Sequence, residues 1–268
     1  MFKRLVVAFL LVTAALSARA ADQTDVYIDA AEPGWGAFLV QSNTFQFLAF
    51  FIYDVNKNPT FYTAQLTDDG TGNYTGGLYA TMGTYFASPW NPSDHPPAVQ
   101  VGTATFTPTD AYHATLKYTV NGVGTVTKSM VRQTLAAYQM TGSYSGGVAG
   151  NISSCNDPTQ NVASFRALAN VSVTQVADAS ATVVITFVDP TYSGLVCTVS
   201  GALTHFGRLY QLNGQTMCAG LGANPNPHGA TIDALHPTGE GIEGRLMTGL
   251  GGGCQGLFHI SAVLNVSN

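Results

Sequence analysis

Side chains that could perform acid–base chemistry are scarce in this sequence, and most of its carboxylates stand in turns. An Asp in a turn usually accepts hydrogen bonds from its own backbone, and we predict that role here. The two C-terminal glutamates lie three residues apart among glycines, where exposed hairpin charges are a simpler interpretation than a pair of glycosidase carboxylates. The turn aspartates are Asp54, Asp68, Asp69, Asp157, Asp178 and Asp189, and the glutamates are Glu240 and Glu243.

The histidines and serines form no recognised metal or nucleophile pattern. No two histidines have His-x-His or His-x-x-x-His spacing, so a zinc site would need ligands from distant strands. We expect these rings in loops and on strand surfaces: His95, His113, His205, His228, His236 and His259. Residues 142–146 (GSYSG) have Tyr144 where a nucleophile elbow needs serine, and their Gly-x-aromatic form is typical of a first strand in calycin-type barrels. The sequence thus predicts no catalytic residue, metal ligand or cofactor.

Four cysteines in the second half of the chain indicate two disulfides. They are Cys155, Cys197, Cys218 and Cys254, and three pairings are open. If residues 195–219 form a hairpin that turns at Gly207-Arg208, Cys197 lies opposite Cys218. Such a bond would close a loop of about 22 residues and stabilise the fold by roughly 3 kcal/mol. Cys155 and Cys254 would then form the second bond.

Aromatic residues are concentrated between residues 35 and 62. They are Trp35, Phe38, Phe45, Phe47, Phe50, Phe51, Tyr53, Phe61 and Tyr62. We expect most of them in a core, because each buried ring contributes kilocalories of stability. The alternative is one wall of a pocket for a small apolar or saccharide ligand, formed by Trp35, Phe47, Phe51, Tyr53 and Tyr62.

The first twenty residues have the pattern of a secretory signal peptide. A cationic start (residues 1–4) precedes an apolar run (residues 5–16), and Ala18-Arg19-Ala20 has the small-x-small form of a cleavage site. No later apolar run approaches the roughly 20 residues of a spanning helix, so we expect no transmembrane segment in the mature chain. The predicted location is periplasmic or secreted.

The composition excludes some partners and favours β-structure. Without the signal peptide, 7 of the 10 basic residues remain against 15 acidic ones, a net charge of −8. Such a chain has neither the basic surface that nucleic acid needs nor a polybasic membrane anchor. Charged residues make up only 9% of the chain, and Glu and Lys, which favour helix surfaces, are rare.

Short strands with period-two patterns and frequent turn residues predict an all-β chain. We expect antiparallel hairpins in two consecutive barrel- or sandwich-like units, residues 21–134 and 135–268. Asn121-Gly122 is a strong hairpin signal in the first unit. Calycin-like barrel closure is favoured for the second unit, and a single large sandwich is the alternative.

Short motifs along most of the mature chain resemble a family of exported proteobacterial β-rich proteins with no assigned activity. The matching segments are Pro33-Gly34-Trp35-Gly36, residues 39–41 (LVQ), 51–54 (FIYD), 59–62 (PTFY), 74–79 (YTGGLY), 101–104 (VGTA) and 121–123 (NGV) with Lys128 and Arg132, the Cys197–Cys218 hairpin, and 253–256 (GCQG). Phe61 and Asn58 stand where the family commonly has Trp and Gly. The resemblance implies export and β-structure, and it implies no catalytic residue.

Three functions remain open from the sequence. The first is a non-enzymatic exported protein with a binding or envelope-associated role. The second is a hydrolase that acts on an envelope or extracellular polymer through loop Asp or His residues. The third is an inhibitor or adhesin that uses the Pro-rich loop of residues 83–97. An apolar lumen without titratable groups would favour the first, and a polar cluster at a barrel mouth would favour the second.

Overall fold

The computed structural model describes residues 22–265, and this part of the chain folds almost entirely through β-strands. The proposed signal peptide, residues 1–20, lies outside the described residues. Three single-turn 3-10 helices interrupt the loops at Pro92–Asp94, Pro158–Gln160 and Pro190–Tyr192. Within residues 22–265 no helix is long and apolar enough to cross a membrane.

The first eight strands form a closed antiparallel barrel in which each strand pairs with the next. They are β1 (Asp25–Ile28), β2 (Gly36–Ser42), β3 (Phe45–Tyr53), β4 (Pro59–Asp68), β5 (Tyr74–Ala80), β6 (Val99–Pro108), β7 (His113–Val120) and β8 (Gly124–Arg132). The last strand pairs with the first, Tyr27 opposite Arg132, which closes the sheet and leaves no free edge. Inward side chains pack the interior, among them Tyr27, Leu48, Phe50, Phe106 and Leu116, all fully buried.

The second eight strands form another closed barrel of the same up-and-down topology. They are β9 (Gly142–Ser153), β10 (Val162–Val176), β11 (Ser180–Phe187), β12 (Val196–Phe206), β13 (Leu209–Ala219), β14 (His228–Pro237), β15 (Gly241–Gly251) and β16 (Cys254–Leu264). Strand β10 shows why this sequence forms a barrel wall. Every second residue from Phe165 to Gln175 is buried, mostly Ala and Val, and the intervening residues, most of them polar, face solvent.

The structure confirms the all-β fold class and the two consecutive units. The sequence favoured barrel closure for the second unit, and the structure closes both. The hairpin turn also lies where it was expected, with Phe206 paired to Leu209 across Gly207-Arg208. Gly207 has a φ of +60°, the conformation that the first position of a type II′ turn requires.

Both disulfides lie in the second barrel, in the pairing expected from the hairpin. Cys197 faces Cys218 across β12 and β13 and is bonded to it. Cys155, in the β9–β10 loop, is bonded to Cys254 at the start of β16. No described cysteine is free. Two such bonds fit a protein that folds in an oxidising compartment outside the cytosol.

The barrels contact each other at one end through a buried polar cluster. The Arg132 guanidinium donates to Asp25 Oδ2 at 3.0 Å and to the Ala111 carbonyl at 2.7 Å. Asp25 Oδ2 also accepts a hydrogen bond from the backbone N–H of Arg208, which belongs to the second barrel. The Tyr112 hydroxyl donates to Asp233 at 2.8 Å. These bonds tie β1 to the β12–β13 turn and the β6–β7 turn to β14, and we call this end of each barrel the junction.

Candidate functional site

The second barrel has a cavity at the end that faces away from the junction. Connections between successive antiparallel strands lie at opposite ends of the barrel in turn. The β12–β13 turn lies at the junction, so every second connection lies at this far end. They are the β9–β10, β11–β12 and β13–β14 loops and the short β15–β16 turn. The cavity that they surround has a volume of about 420 Å³. That volume lies within the range of roughly 300–1,000 Å³ that is usual for small-molecule sites.

The deep wall of this cavity is apolar. It is formed by side chains from β9, β10, β11, β15 and β16 and from the β11–β12 loop: Val148, Ile152, Phe165, Ile185, Phe187, Leu195, Leu246, Leu250 and Phe258. Phe165 contacts Phe187 and Phe258 edge-on, at centroid distances of 5.9 and 5.5 Å. These rings therefore form one aromatic cluster on a rigid wall, in a geometry that aromatic pairs prefer.

Few polar side chains line the cavity. Thr216 and Thr248 are buried, and Gln160, Asn224 and His228 stand on or beside the loops. The His228 Nε2 lies 3.3 Å from the Asn224 amide nitrogen. His228 is the one ionisable side chain among the lining residues, because the three cysteines there are in disulfides. A few polar groups beside an apolar wall can orient a ligand without performing chemistry on it.

Both disulfides belong to the rim of this cavity. Cys197, Cys218 and Cys254 line it, and Cys155 holds its loop through the bond to Cys254. Neighbouring glycines permit the close approach of the loops. A Cβ on Gly251 would lie 2.5 Å from the Asn224 amide, and the φ of Gly251 is +84°. Two covalent bonds therefore hold together strands and a loop at this rim.

The five residues proposed as one ligand wall in the first barrel do not form one. Trp35 is buried in the interior, and Tyr62 packs against the same core. Phe47, Phe51 and Tyr53 point outward into solvent. The strand period of two explains the separation, since consecutive residues of a β-strand point to opposite faces.

The expectation that most of the aromatic residues between 35 and 62 lie in the core is also wrong. Six of the nine are on the outer surface of the barrel: Phe38, Phe45, Phe47, Phe51, Tyr53 and Phe61. The period of two in β3 places Phe45, Phe47, Phe51 and Tyr53 on the same face of the strand, which is the outer one. The structure covers only the inner face.

The turn aspartates mostly have the structural role that was expected. Asp54 accepts from the backbone N–H groups of Asn56 and Asn58, each at 2.8 Å. The same pattern recurs at Asp68, Asp69, Asp157 and Asp189. Asp178 differs, because it lies near the Tyr210 hydroxyl and the His205 ring.

The expectation that the histidine rings lie in loops and on strand surfaces is wrong for His205. Its side chain is only 6% exposed, and its ring stacks on Tyr210 at a centroid distance of 4.1 Å. Its Nδ1 lies 3.2 Å from Asp178. The position next to a hairpin turn indicated exposure, but the turn itself lies in the contact between the barrels. No cluster of three or more metal-ligating side chains occurs among residues 22–265.

A second cavity, of about 470 Å³, lies beside the junction and has a different character. Two ion pairs lie along its walls, Arg208 with Asp22 and Arg245 with Asp233, and the His236 ring contacts Glu243. Burial by itself would raise the pKa of Asp22, but hydrogen bonds from Thr24 and Arg208 outweigh it and lower that pKa. The pKa of Asp110 is lowered in the same way by the N–H groups of Tyr112 and His113.

The polar groups of this junction cleft do not assemble a hydrolase relay. His236 pairs with Glu243 across β14 and β15, and Glu243 pairs with Ser261 across β15 and β16. The carboxylate therefore stands between the imidazole and the hydroxyl. A serine nucleophile needs the imidazole in the middle, within hydrogen-bond reach of the hydroxyl. The cleft is better described as an ion-paired seam between the barrels.

The sequence analysis did not predict the cavity of the second barrel. The positions of the four cysteines were the one signal in the sequence that pointed to it. Its lining comes from all eight strands of the barrel and from four connections between them, which are distant along the chain. A comparison of the chain with protein-family models and with curated proteins gives no match. Its function is therefore argued from geometry.

Proposed function

We propose that this chain is an exported, non-enzymatic binding protein whose second barrel holds a small apolar molecule in the cavity at its far end. The observation that carries the proposal is the 420 Å³ cavity with its aromatic and aliphatic wall. Burial of an apolar ligand against such a wall is favourable by about 25 cal/mol for each Å² removed from water.

The polar groups support binding rather than catalysis. A catalytic site needs an acid, a base or a nucleophile in hydrogen-bond reach of the reacting atoms. Among the lining residues His228 is the one candidate acid or base, and its contact is the amide of Asn224. The Thr248 hydroxyl donates to the Gly249 carbonyl and keeps its lone pairs, so Thr216 and Thr248 suit a ligand with few polar groups.

The disulfide-bonded rim supports the same conclusion. A loop that is already ordered loses little conformational entropy when a ligand binds, and this raises affinity. The two bonds, together with the signal-like residues 1–20, also support export to an oxidising compartment.

The test is fluorescence titration with the neutral apolar probe N-phenyl-1-naphthylamine. We expect saturable binding to the wild type and at least a tenfold loss in Thr216→Phe, because the new ring fills the cavity from β13. Gln215→Phe is the matched control, since it adds the same ring to the outer side of the same strand. Equal binding by the two variants, or no saturable binding to the wild type, would refute the proposal.

A second measurement identifies the natural ligand. Native mass spectrometry of protein purified from an oxidising host compartment should show a bound mass that Thr216→Phe lacks and Gln215→Phe retains. Circular dichroism of both variants checks that the barrel remains folded.

A further inference from the structure

The outer side of the first barrel carries a continuous apolar surface across β2, β3 and β4. We call it the aromatic face: Phe38, Val40, Phe45, Phe47, Phe51, Tyr53 and Phe61. Their exposure ranges from 40% to 59%. Cross-strand pairing holds them together, since Val40 faces Phe47 and Phe51 faces Phe61. Phe38 meets Phe51 edge-on at a centroid distance of 5.7 Å.

The aromatic face is large for a surface that remains in water. With aromatic side chains of roughly 150–250 Å² each, these exposures correspond to on the order of 600 Å². The largest apolar patch on an ordinary monomer is about 300–600 Å². Two such faces brought together would bury about 1,200 Å², where specific protein interfaces begin.

No Asp, Glu, Lys, Arg or His side chain points outward from these three strands. The other outward positions carry small or neutral polar residues: Gly36, Ser42, Ala49, Pro59, Thr63, Gln65 and Thr67. A different protein would find no charge to complement here, and a saccharide would find few hydrogen-bonding groups. A second copy of the aromatic face needs neither charges nor hydrogen-bonding groups on its partner, because it is itself equally apolar and uncharged.

The shape of the aromatic face also suits a copy of itself. Ala49 lies at its centre, half-buried between outward rings of β3, with Phe38 opposite it on β2. The small side chain leaves a notch beside the projecting rings. In a two-fold arrangement, a ring of one copy can enter the notch of the other, and the contact is made twice by symmetry.

We infer that the aromatic face joins two copies of this chain into a symmetric dimer in solution. Residues 22–265 carry 7 basic and 15 acidic side chains, so two copies repel each other at long range. Because the contact contains no ion pair, salt should screen this repulsion and favour the dimer. A dimer held by salt bridges would instead weaken as salt is added.

Sedimentation velocity of the full secreted protein tests the inference. We expect a concentration-dependent dimer for the wild type, with a dissociation constant that does not rise between 50 and 500 mM NaCl. Phe47→Thr/Phe51→Thr should raise that constant by about 30-fold or more, as loss of central aromatic anchors does. Threonine suits a strand, so the barrel should keep its fold.

Leu168→Thr is the control, since Leu168 is 63% exposed on β10 of the second barrel and lies outside the aromatic face. It should leave the dimer unchanged. A monomeric wild type at all concentrations would overturn the inference, and so would a dimer that Phe47→Thr/Phe51→Thr leaves intact. A monomer that binds a glycan array through this face would assign the surface to a saccharide instead.

Cross-linking provides a test that does not depend on removing side chains. Because no described cysteine is free, Ala49→Cys introduces a single thiol at the centre of the aromatic face. Mild oxidation should convert it to a covalent dimer at least ten times faster than Leu168→Cys. Equal rates would overturn the inference. The ligand cavity lies in the other barrel, so failure here leaves the proposed function standing.

Discussion

Tyr112 is the residue on which the contact between the barrels most directly depends. It lies in the turn between β6 and β7, and its hydroxyl donates to Asp233 Oδ1 at 2.8 Å in the second barrel. The same hydroxyl accepts from the backbone N–H of Ala234, also at 2.8 Å. Its ring stacks on Phe206 at 4.4 Å. Burial raises the pKa of Tyr112 well above its ordinary value, and the neighbouring Asp233 carboxylate adds to the shift.

This shift predicts a loss of stability in alkali. Below about pH 10 the folded and unfolded states both hold the phenolic proton, so the stabilisation is fully present. As the pH rises above 10, the unfolded tyrosine ionises while the folded one does not. Unfolding then becomes more favourable by up to about 1.4 kcal/mol per pH unit for each such tyrosine.

Urea unfolding between pH 8 and 11.5 measures this effect. Tyr112→Phe should lose about 1–3 kcal/mol at pH 8, because a buried carboxylate and a backbone N–H lose their partner. It should also show a shallower alkaline decline than the wild type. Tyr85→Phe, in an exposed loop of the first barrel, should change neither value. Parallel pH profiles for wild type and Tyr112→Phe would contradict the assignment.

At the scale of elements, the second barrel closes at the seam between β9 and β16. The two strands pair from Tyr144–Leu264 at one end to Ser153–Gln255 at the other. Glycines on β9 permit this close approach. A Cβ on Gly150 would lie 2.0 Å from the Leu257 carbonyl oxygen, and one on Gly146 would lie 2.1 Å from the Ser261 carbonyl oxygen. The seam therefore depends on positions without side chains.

We predict that Gly150→Ala destabilises the second barrel by about 1–3 kcal/mol, as overpacking of a tight contact does. Gly229→Ala is the matched control, because a Cβ at Gly229 of β14 would meet nothing within 4 Å. That change should be neutral or slightly stabilising, since alanine restricts the unfolded chain. Urea unfolding followed by far-UV circular dichroism compares the two. Equal losses would show that the seam is not the cause.

At the scale of the whole molecule, the chain consists of two barrels that each close their own hydrogen bonds. Both tryptophans, Trp35 and Trp90, lie in the first barrel, and both disulfides lie in the second. Tryptophan fluorescence therefore reports on one barrel, and reduction acts on the other. The Cys155–Cys254 bond spans 99 positions and the Cys197–Cys218 bond spans 21.

Reduction should lower the stability of the second barrel and leave the first nearly unchanged. The chain-entropy estimate is about 3 kcal/mol for the short loop and about 4.7 kcal/mol for the long one. We expect the urea midpoint from tryptophan fluorescence to stay constant after reduction, while a second transition in far-UV circular dichroism moves to lower urea. A single transition that shifts equally in both signals would show that the barrels unfold as one unit.

Local features of the fold could be predicted from the sequence. The scarcity of Glu and Lys and the period-two patterns indicated β-structure, and the structure has no α-helix in residues 22–265. The Cys197–Cys218 bond followed from one local assumption, the position of a two-residue turn. Pairing within a hairpin is set by the turn, so residues equally far from it on either side must meet.

Other features depended on contacts between distant segments. Alternation in β3 showed that Phe47 and Phe50 point to opposite faces, but it could not show which face lies inside the barrel or whether anything covers the other one. His205 was expected at the surface, yet its side chain is buried, with its ring stacked on Tyr210 and next to Asp178. The cavity draws its lining from nearly the whole second half of the chain.

The sequence by itself determined the strands, their turns and a set of sulfur atoms that could bond in pairs. All of these follow from interactions within a few residues, or within one hairpin. Only the tertiary structure decided that both sheets close on themselves, that one interior is packed while the other keeps a cavity, and that six aromatic rings face outward. The reason is that closure depends on the pairing of the first strand of each sheet with the last, about 100 residues away, and local chemistry does not encode which residues such a contact brings together.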